Sequence, residues 1–277
     1  NPCPFGSASS SLAEGTKNLK MINKFHFVFD KTAKATRLKK IILKKYKNYS
    51  PQKSNTIIVA GGDGFMLNTL KKYLKFSKSF YGINCGSFGF LMNKYRYDDL
   101  YTKTSKAKKI SINPLELKTI DKKNRIRKLI AINEVSLFRQ SRQTASLQLR
   151  IGKKITIKKL IGDGLLVSTP AGSTAYNLSV HGPILSLNSG KLAITPISPF
   201  RPRRWKGKII SNNLSVKVYN LDPKKRPVAA VADNIEIRNI KYLNVKINKK
   251  IKINLLYDKY RSLIKKIKLE QLKKNTK

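Results

Sequence analysis

Asp63 stands in Gly61-Gly62-Asp63-Gly64, directly after the apolar run Thr56-Ile57-Ile58-Val59-Ala60. That run is rich in β-branched residues and ends in glycine, so it predicts a buried strand entering a tight turn. Glycine there lets the backbone approach a ligand closely and aim N–H groups at it, which suits phosphate. A carboxylate beside such amides is not needed to attract an anion. It is suited to orienting a hydroxyl, accepting its proton or holding a metal ion.

Three further acids share this kind of setting: Glu134 in Asn133-Glu134, Asp163 in Gly162-Asp163-Gly164, and Asp233 in Ala232-Asp233-Asn234. A turn-forming Asp accounts for any one of them. Four such placements in a chain with only 14 acidic residues point instead to a polar site that faces hydroxyls and amines. Asn133 and Glu134 follow Leu129-Ile130-Ala131-Ile132, so an amide and a carboxyl stand at a strand terminus, fit for ribose hydroxyls and base edges. In Thr169-Pro170-Ala171-Gly172-Ser173-Thr174-Ala175-Tyr176, Pro and Gly bend the chain after a buried strand. Ser173 or Thr174 is expected to cap the helix that follows, its free N–H groups suiting a phosphate or adenine edge, and Tyr176 adds an aromatic surface.

Other chemistries fare worse. There is no Gly-x-x-x-x-Gly-Lys-Ser/Thr phosphate loop, and Gly82, Gly86 and Gly89 lack the dinucleotide fingerprint spacing, which speaks against a hydride-transferring dehydrogenase. Two histidines, His26 and His181, support neither a His-rich metal site nor a Ser-His-Asp triad, and His181 reads as structural. Cys3 and Cys85 suggest no disulfide framework, and Cys85 reads as a small packed residue, so a reducing cytoplasm is the expected setting. Arg201-Pro202-Arg203-Arg204-Trp205 reads either as a grip for phosphate or a neighbouring subunit, or as a solvated loop.

The elements that must position these residues fall into two patterns. Strands at 25–29, 56–60 and 80–84 alternate with helices at 34–46, with Leu38, Ile41 and Ile42 on one side, and at 66–74, which predicts a small open α/β sheet. Ligands collect beyond the carboxyl ends of such strands. From about Ser111 the chain turns into short, often alternating runs at 115–117, 127–132, 146–151, 153–160, 164–169, 208–210, 214–219, 228–237 and 242–253, a mainly β pattern. The predicted organisation is an extension over 1–20, an α/β domain over 21–105, a β-rich domain over 106–250 and a C-terminal segment over 251–277 whose basic helix docks on the body. Residues 1–20 lack periodicity and a signal-peptide core, and read as a disordered extension or an upstream-translation artefact before Met21.

The chain carries 59 Lys and Arg against 14 Asp and Glu, a formal charge of +45. Nucleic acid or an anionic membrane is one reading of such a charge. Compositional drift is the favoured one: most cations are Lys, they are scattered, and Ile and Asn are abundant beside them. A nucleic-acid reader concentrates Arg and aromatics on one element. No run approaches the roughly 18 apolar residues a membrane helix needs.

Taken together, Gly61-Gly62-Asp63-Gly64, the segment from Asn84 to Leu91, Asn133-Glu134, the segment from Asp163 to Tyr176 and the turn at Asp233 resemble the ATP-dependent NAD kinase family, in its alphaproteobacterial form. The resemblance extends over most of 25–240. Gly-Gly-Asp-Gly alone is shared with diacylglycerol and sphingosine kinases. The resemblance implies an α/β N-terminal domain and a β-rich C-terminal domain, with an active site between domains and a homo-oligomer, a dimer or tetramer, in which a neighbouring subunit contributes residues. It implies phosphorylation of the 2′-hydroxyl of the adenosine ribose of NAD by ATP, with Mg²⁺, to give NADP. Asp63 is then base or positioner and the amides of Gly61, Gly62 and Gly64 hold ATP phosphates. Phe90 becomes a wall for the adenosine, and Asn133 and Glu134 contacts to ribose and adenosine. Asp163, Ser173, Thr174, Ala175 and Tyr176 become the dinucleotide pocket, and Asp233 a contact near the nicotinamide half. No protein metal ligand, specific nucleic acid or membrane partner is implied. Phe65 and Ala171 stand where many members carry Thr, and 198–205 differs from a His-containing stretch of several relatives. The competing readings are another Gly-Gly-Asp-Gly kinase acting on a lipid or sugar alcohol, and a basic nucleic-acid-binding protein without activity.

Overall fold

The computed structural model describes residues 23–86, 89–95 and 99–258. The expected extension over 1–20 and the expected C-terminal helix lie outside the described residues. The chain divides into two units, one running to Ser111 and resuming at Ile253, the other spanning Ile112–Lys252.

The first unit holds one five-stranded sheet. Its strands are β1 (Phe25–Phe29), β2 (Thr56–Gly61), β3 (Ser79–Asn84), β4 (Lys108–Ile112) and, from the far end of the chain, β17 (Ile253–Tyr257), in the order β1-β2-β3-β17-β4. β1, β2, β3 and β17 pair in parallel. β2 lies inside the sheet and every residue of it is buried, which is why it reads as one continuous apolar run. The helices are α1 (Ala33–Lys45), α2 (Asp63–Tyr73) and α3 (Leu100–Lys106). In α1, the Thr32 side chain accepts from the Ala35 N–H at 3.3 Å, while Lys44 and Lys45 sit against the negative end of the helix dipole.

Two details differ from expectation. The buried face of α1 is Ala35, Leu38 and Ile42, whereas Ile41 is 48% exposed: the 35/38/42 spacing follows one stripe, and Ile41 falls off its edge. The sequence offers no obvious periodicity for α3, which instead is set by its cap. Asp99 accepts from the Thr102 N–H at 3.2 Å and from the Tyr46 hydroxyl at 2.8 Å. Cys85 is buried among Phe25, Phe27, Ile58, Tyr81 and Ile83, and burial pushes its thiol pKa up.

The second unit is a β-sandwich. Its strands are β5 (Leu115–Asp121), β6 (Ile126–Ala131), β7 (Glu134–Arg139), β8 (Ala145–Ile151), β9 (Lys154–Gly162), β10 (Gly164–Ser168), β11 (Lys191–Ile197), β12 (Lys208–Ser211), β13 (Val216–Asn220), β14 (Val228–Ala232), β15 (Ile235–Ile237) and β16 (Ile240–Ile247). They form two six-stranded sheets, β12-β11-β10-β7-β14-β15 and β6-β5-β16-β13-β8-β9. Leu115, Leu117, Leu147, Leu149, Val216, Val218, Leu243 and Val245 of the second sheet pack in one core with Val135, Leu137, Leu165, Val167, Leu192, Ile194, Val228 and Ala230 of the first. Burying two facing apolar surfaces of this extent is the main stabilising term of a sandwich. The runs expected over 228–237 and 242–253 are each broken. Asp233 and Asn234 make a two-residue hairpin between β14 and β15, and Asn248-Lys249-Lys250 ends β16 before β17 begins.

Candidate active site

In the first unit, the loops after β2 and β3 meet at the carboxyl edge of the parallel sheet. Gly61 pairs with Asn84 at the ends of the two strands, and the Cys85 N–H donates to the Gly61 carbonyl at 2.8 Å. The chain then returns: Asn93 donates its N–H to Gly82 and accepts from Asn84, each at 2.8 Å. Asp63 occupies the first turn of α2, where the helix dipole favours an anion. Its Oδ2 accepts from the Phe90 N–H at 2.6 Å and its Oδ1 from the Leu91 N–H at 3.0 Å. One carboxylate thus fixes the loop after β3 against the start of α2. Ionised, it keeps acceptor capacity for a further donor such as a hydroxyl. Ser87 and Phe88, between Gly86 and this loop, lie outside the described residues.

The glycines around Asp63 are not explained by backbone strain. Gly62 has φ −102° and ψ 179°, extended backbone that any residue adopts. A Cβ added at Gly62 or Gly64 meets nothing within 4 Å among the described residues. Open room beside α2's first N–H groups is what remains, and it is the room a phosphate would need.

In the second unit, Glu134 begins β7, and Asn133 lies just before it in the turn from β6. Two pieces of chain hold this turn. From one side the Asp233 carboxylate accepts three backbone N–H groups: Ile132 at 2.8 Å, Asn133 at 2.8 Å and Glu134 at 3.3 Å. From the other side Thr169 donates its hydroxyl to the Ile132 carbonyl at 2.8 Å and its N–H to the Asn133 carbonyl at 2.9 Å. Gly172 is forced by this contact, since a Cβ there would lie 2.2 Å from the Asn133 carbonyl oxygen. Asn133 Oδ1 and Glu134 Oε2 are buried with no hydrogen-bond partner among the described residues. Burial first, and the Asp233 charge second, push the Glu134 pKa up to about 8.

Tyr176 opens α4 (Tyr176–Ser179), and its ring lies 5.8 Å from that of Phe138. Burial, then the negative charges of Asp163 and Glu134, raise its hydroxyl pKa, so both carboxyl groups lie within electrostatic reach of the Tyr176 hydroxyl. Asp163 is ion-paired with Arg139. The expected cap is absent: neither the short 3₁₀ turn Gly172–Thr174 nor α4 has a side-chain cap. Ser173 is fully buried, and its hydroxyl donates to the Pro170 carbonyl at 2.7 Å and accepts the Leu185 N–H at 3.0 Å. The sequence reading passed over Asn177, whose buried amide donates to the Ser173 and Pro183 carbonyls and accepts from the Thr195 hydroxyl. Ala175, with ψ −131°, separates the 3₁₀ turn of Ser173 from the helix of Asn177, so no helical spacing in the sequence marked the pair.

The second unit therefore brings Asn133, Glu134 and Asp233 together at one turn, with Tyr176 within electrostatic reach of Glu134 and Asp163; no contact joins Thr174 or Ala175 to that turn among the hydrogen bonds of the described residues. The first unit assembles Gly61, Gly62, Asp63, Gly64 and Phe90 around another. Arg201–Arg204 is exposed, with the Arg201 and Arg203 guanidinium groups over the Phe200 ring at 5.5 and 5.2 Å. Among the described residues no three His, Cys, Asp or Glu side chains are grouped to hold a metal, and no helix is long and apolar enough to cross a membrane.

The comparison with known proteins falls on this same material. The family model for the ATP-NAD kinase C-terminal domain matches residues 132–253. NAD kinases from Rhizobium meliloti (strain 1021) and Zymomonas mobilis subsp. mobilis are each 41% identical to the chain, over 90% and 91% of it and 97% and 98% of their own lengths. Among solved structures, an NAD kinase from Archaeoglobus fulgidus in complex with ATP superposes with a TM-score of 0.71 at 19% identity, covering 88% of this chain and 98% of that one. Yeast NADH kinase complexed with NADH gives 0.69 at 19%, covering 99% and 87%. The structural matches carry the two-part fold, α/β with a parallel sheet and then mostly β. At 41% identity over nine-tenths of its length, the chain belongs to the NAD kinase family.

Proposed function

We propose that the chain transfers the γ-phosphoryl group of MgATP to the 2′-hydroxyl of the adenosine ribose of NAD, making NADP and ADP. The observation that carries this reading is the pairing of an oriented carboxylate with flanking glycines at which an added Cβ meets no described residue within 4 Å. Asp63 is pinned by the Phe90 and Leu91 amides, and among the described residues the two glycines beside it leave room rather than avoid a clash. Family membership supports the acceptor and donor.

In the proposed reaction the 2′-oxygen forms a bond to the γ-phosphorus as the bond from phosphorus to the β–γ bridging oxygen breaks, and ADP leaves. The hydroxyl proton passes to Asp63 or, through it, to water. Phosphoryl transfer has a loose transition state, so alignment and charge balance supply most of the acceleration, and a strong base is not required. Asp63 orients the hydroxyl. The amides at Gly61, Gly62 and Gly64 receive the ATP phosphates. Mg²⁺ enters as part of the donor, consistent with an ion held mainly by substrate phosphates and few protein carboxylates.

Phe90 forms an apolar wall for the adenosine. Asn133 and Glu134 supply the orphan acceptors that ribose and adenine donors would satisfy. Thr174, Ala175 and Tyr176, beside Asp163, line the dinucleotide pocket, and buried Ser173 serves by fixing the backbone of that turn. In keeping with the family resemblance, the protein is read as a homo-oligomer, which sedimentation would count.

The direct test incubates purified protein with ATP, Mg²⁺ and NAD and reads NADP with an NADP-specific dehydrogenase, with NADH and a diacylglycerol acceptor run beside it. NADP formation is the expected outcome. Phosphorylation of the lipid with none of NAD would overturn the reading.

A further inference from the structure

We propose that Asp233 is a positioning residue that holds the Asn133–Glu134 pair in place for the nucleoside and does not itself contact the dinucleotide. The proposal rests on the reading of Asn133 and Glu134 as nucleoside contacts. It replaces the expectation that Asp233 touches the nicotinamide half.

The geometry is specific. Ala232 pairs with Ile235, so Asp233 and Asn234 are the two residues of a tight hairpin. Asp233 takes φ +55°, a left-handed conformation that Asp tolerates better than most side chains. The Asp233 N–H donates to the Glu134 carbonyl at 3.1 Å, and its carboxylate accepts from Ile132, Asn133 and Glu134 in return. Hydrogen bonds from N–H groups to an ionised oxygen are roughly twice as strong as neutral ones. Three of them converge on three consecutive residues, so the hairpin reads the turn like a template. Its product is the direction of two side chains whose acceptor atoms, Asn133 Oδ1 and Glu134 Oε2, are buried with no hydrogen-bond partner among the described residues.

Asp233 also acts by charge. The charged or titratable groups facing Glu134 are Asp233 from the hairpin and Tyr176 from α4, with Asp163 next to Tyr176 and paired to Arg139. The one cation named here, Arg139, is paired with Asp163, and among the described residues Asp233 is the charge that shifts Glu134. The Asp233 charge therefore favours the neutral, proton-bearing Glu134, a group able to donate as well as accept.

The test measures NAD dissociation constants by calorimetry from pH 6 to 9, for wild type, Asp233→Gly, Asp233→Asn, Asn133→Ala and Glu134→Gln, together with the KM for MgATP. Asp233→Gly keeps a backbone at home with positive φ, and Asp233→Asn keeps one acceptor oxygen, so both are designed to fold. Expected are a weakening of NAD binding of about 10- to 100-fold for Asp233→Gly, a smaller one for Asp233→Asn, and an unchanged KM for MgATP. The wild-type affinity should show a transition near pH 8 that Glu134→Gln lacks. Both Asp233 variants should move that transition to lower pH, a displacement that mere loss of folded protein would not produce. If Asn133→Ala and Glu134→Gln weaken NAD binding while both Asp233 variants bind it normally with an unmoved transition, the positioning role is wrong and the nucleoside assignment stands. If Asn133→Ala and Glu134→Gln leave NAD binding intact, both ideas are overturned.

Discussion

Among the described residues, two loops are braced by a carboxylate from a segment distant in sequence, and they brace in opposite senses. Asp63 takes two backbone N–H groups, Asp233 takes three, and each ties together segments distant in sequence. Around Asp63, a Cβ added at either flanking glycine, Gly62 or Gly64, meets nothing within 4 Å among the described residues, so the acid stands beside room for a ligand. Around Asp233 the neighbouring turn carries the orphan acceptors, so the acid works through Asn133 and Glu134. An acid in a turn can thus be the reacting group or the brace for other groups. The position of unfilled valence and unfilled room decides between them.

The largest expected effect lies at the first loop. Asp63→Asn should lower kcat by about 10²- to 10⁴-fold, the range for loss of a positioned acid–base group, while NAD affinity stays close to wild type. Near-normal turnover would erase the contrast, because Asp63 would then be a brace like Asp233. Steady-state kinetics beside calorimetric NAD binding separates the two outcomes.

The glycines sharpen the contrast at smaller scale. Gly172→Ala drives a methyl into the backbone of Asn133, whose carbonyl oxygen and carbon would lie at 2.2 and 2.4 Å. Backbone cannot yield cheaply, so a loss of about 1–3 kcal/mol in a urea unfolding midpoint is expected, with weakened NAD binding. Gly64→Ala should do the reverse. With nothing to strike within α2, the helix gains about 0.5–1 kcal/mol, while the methyl occupies the room assigned to phosphate and raises the KM for MgATP. A Gly64→Ala protein with unchanged MgATP kinetics would show that the open space beside Asp63 is not a phosphate site.

The first loop was legible in the sequence because its signals are local. A continuous apolar run, a glycine cluster and one acid lie within nine residues, and strand, turn and helix follow with correct types. The second was legible only in parts. Asn133-Glu134, the segment 169–176 and Asp233 are each visible as polar punctuation, yet their relation depends on β7 pairing with both β10 and β14. Spacings of 35 and 100 residues carry no periodicity that would reveal such a pairing. The same blindness explains Ser173. A Ser after Gly near a helix start suggests a cap, but the Pro170 carbonyl three residues upstream and the Leu185 N–H, brought in by the returning chain, take its hydroxyl. Strand β11 (Lys191–Ile197) was missed because Pro196 interrupts a run that is nonetheless buried throughout after its first residue.

A pH-dependent measurement tests whether Glu134 is held neutral by its surroundings. Its folded pKa is raised to about 8, while an unfolded glutamate titrates near 4.5. Between those values the folded state binds more protons than the unfolded one, so this group's contribution to stability falls as pH rises. The slope is about 1.4 kcal/mol per pH unit inside the window and vanishes on either side. Glu134→Gln removes the titration but keeps the shape. The stability difference, Gln variant minus wild type, should therefore grow by a few kcal/mol from pH 5 to pH 8 in urea melts. Asp233→Asn, which removes the neighbouring charge, should flatten the same dependence partway. A difference that stays constant with pH would mean that Glu134 is ionised and solvated, and the second loop would then present a charged acid to the nucleoside, as the first does.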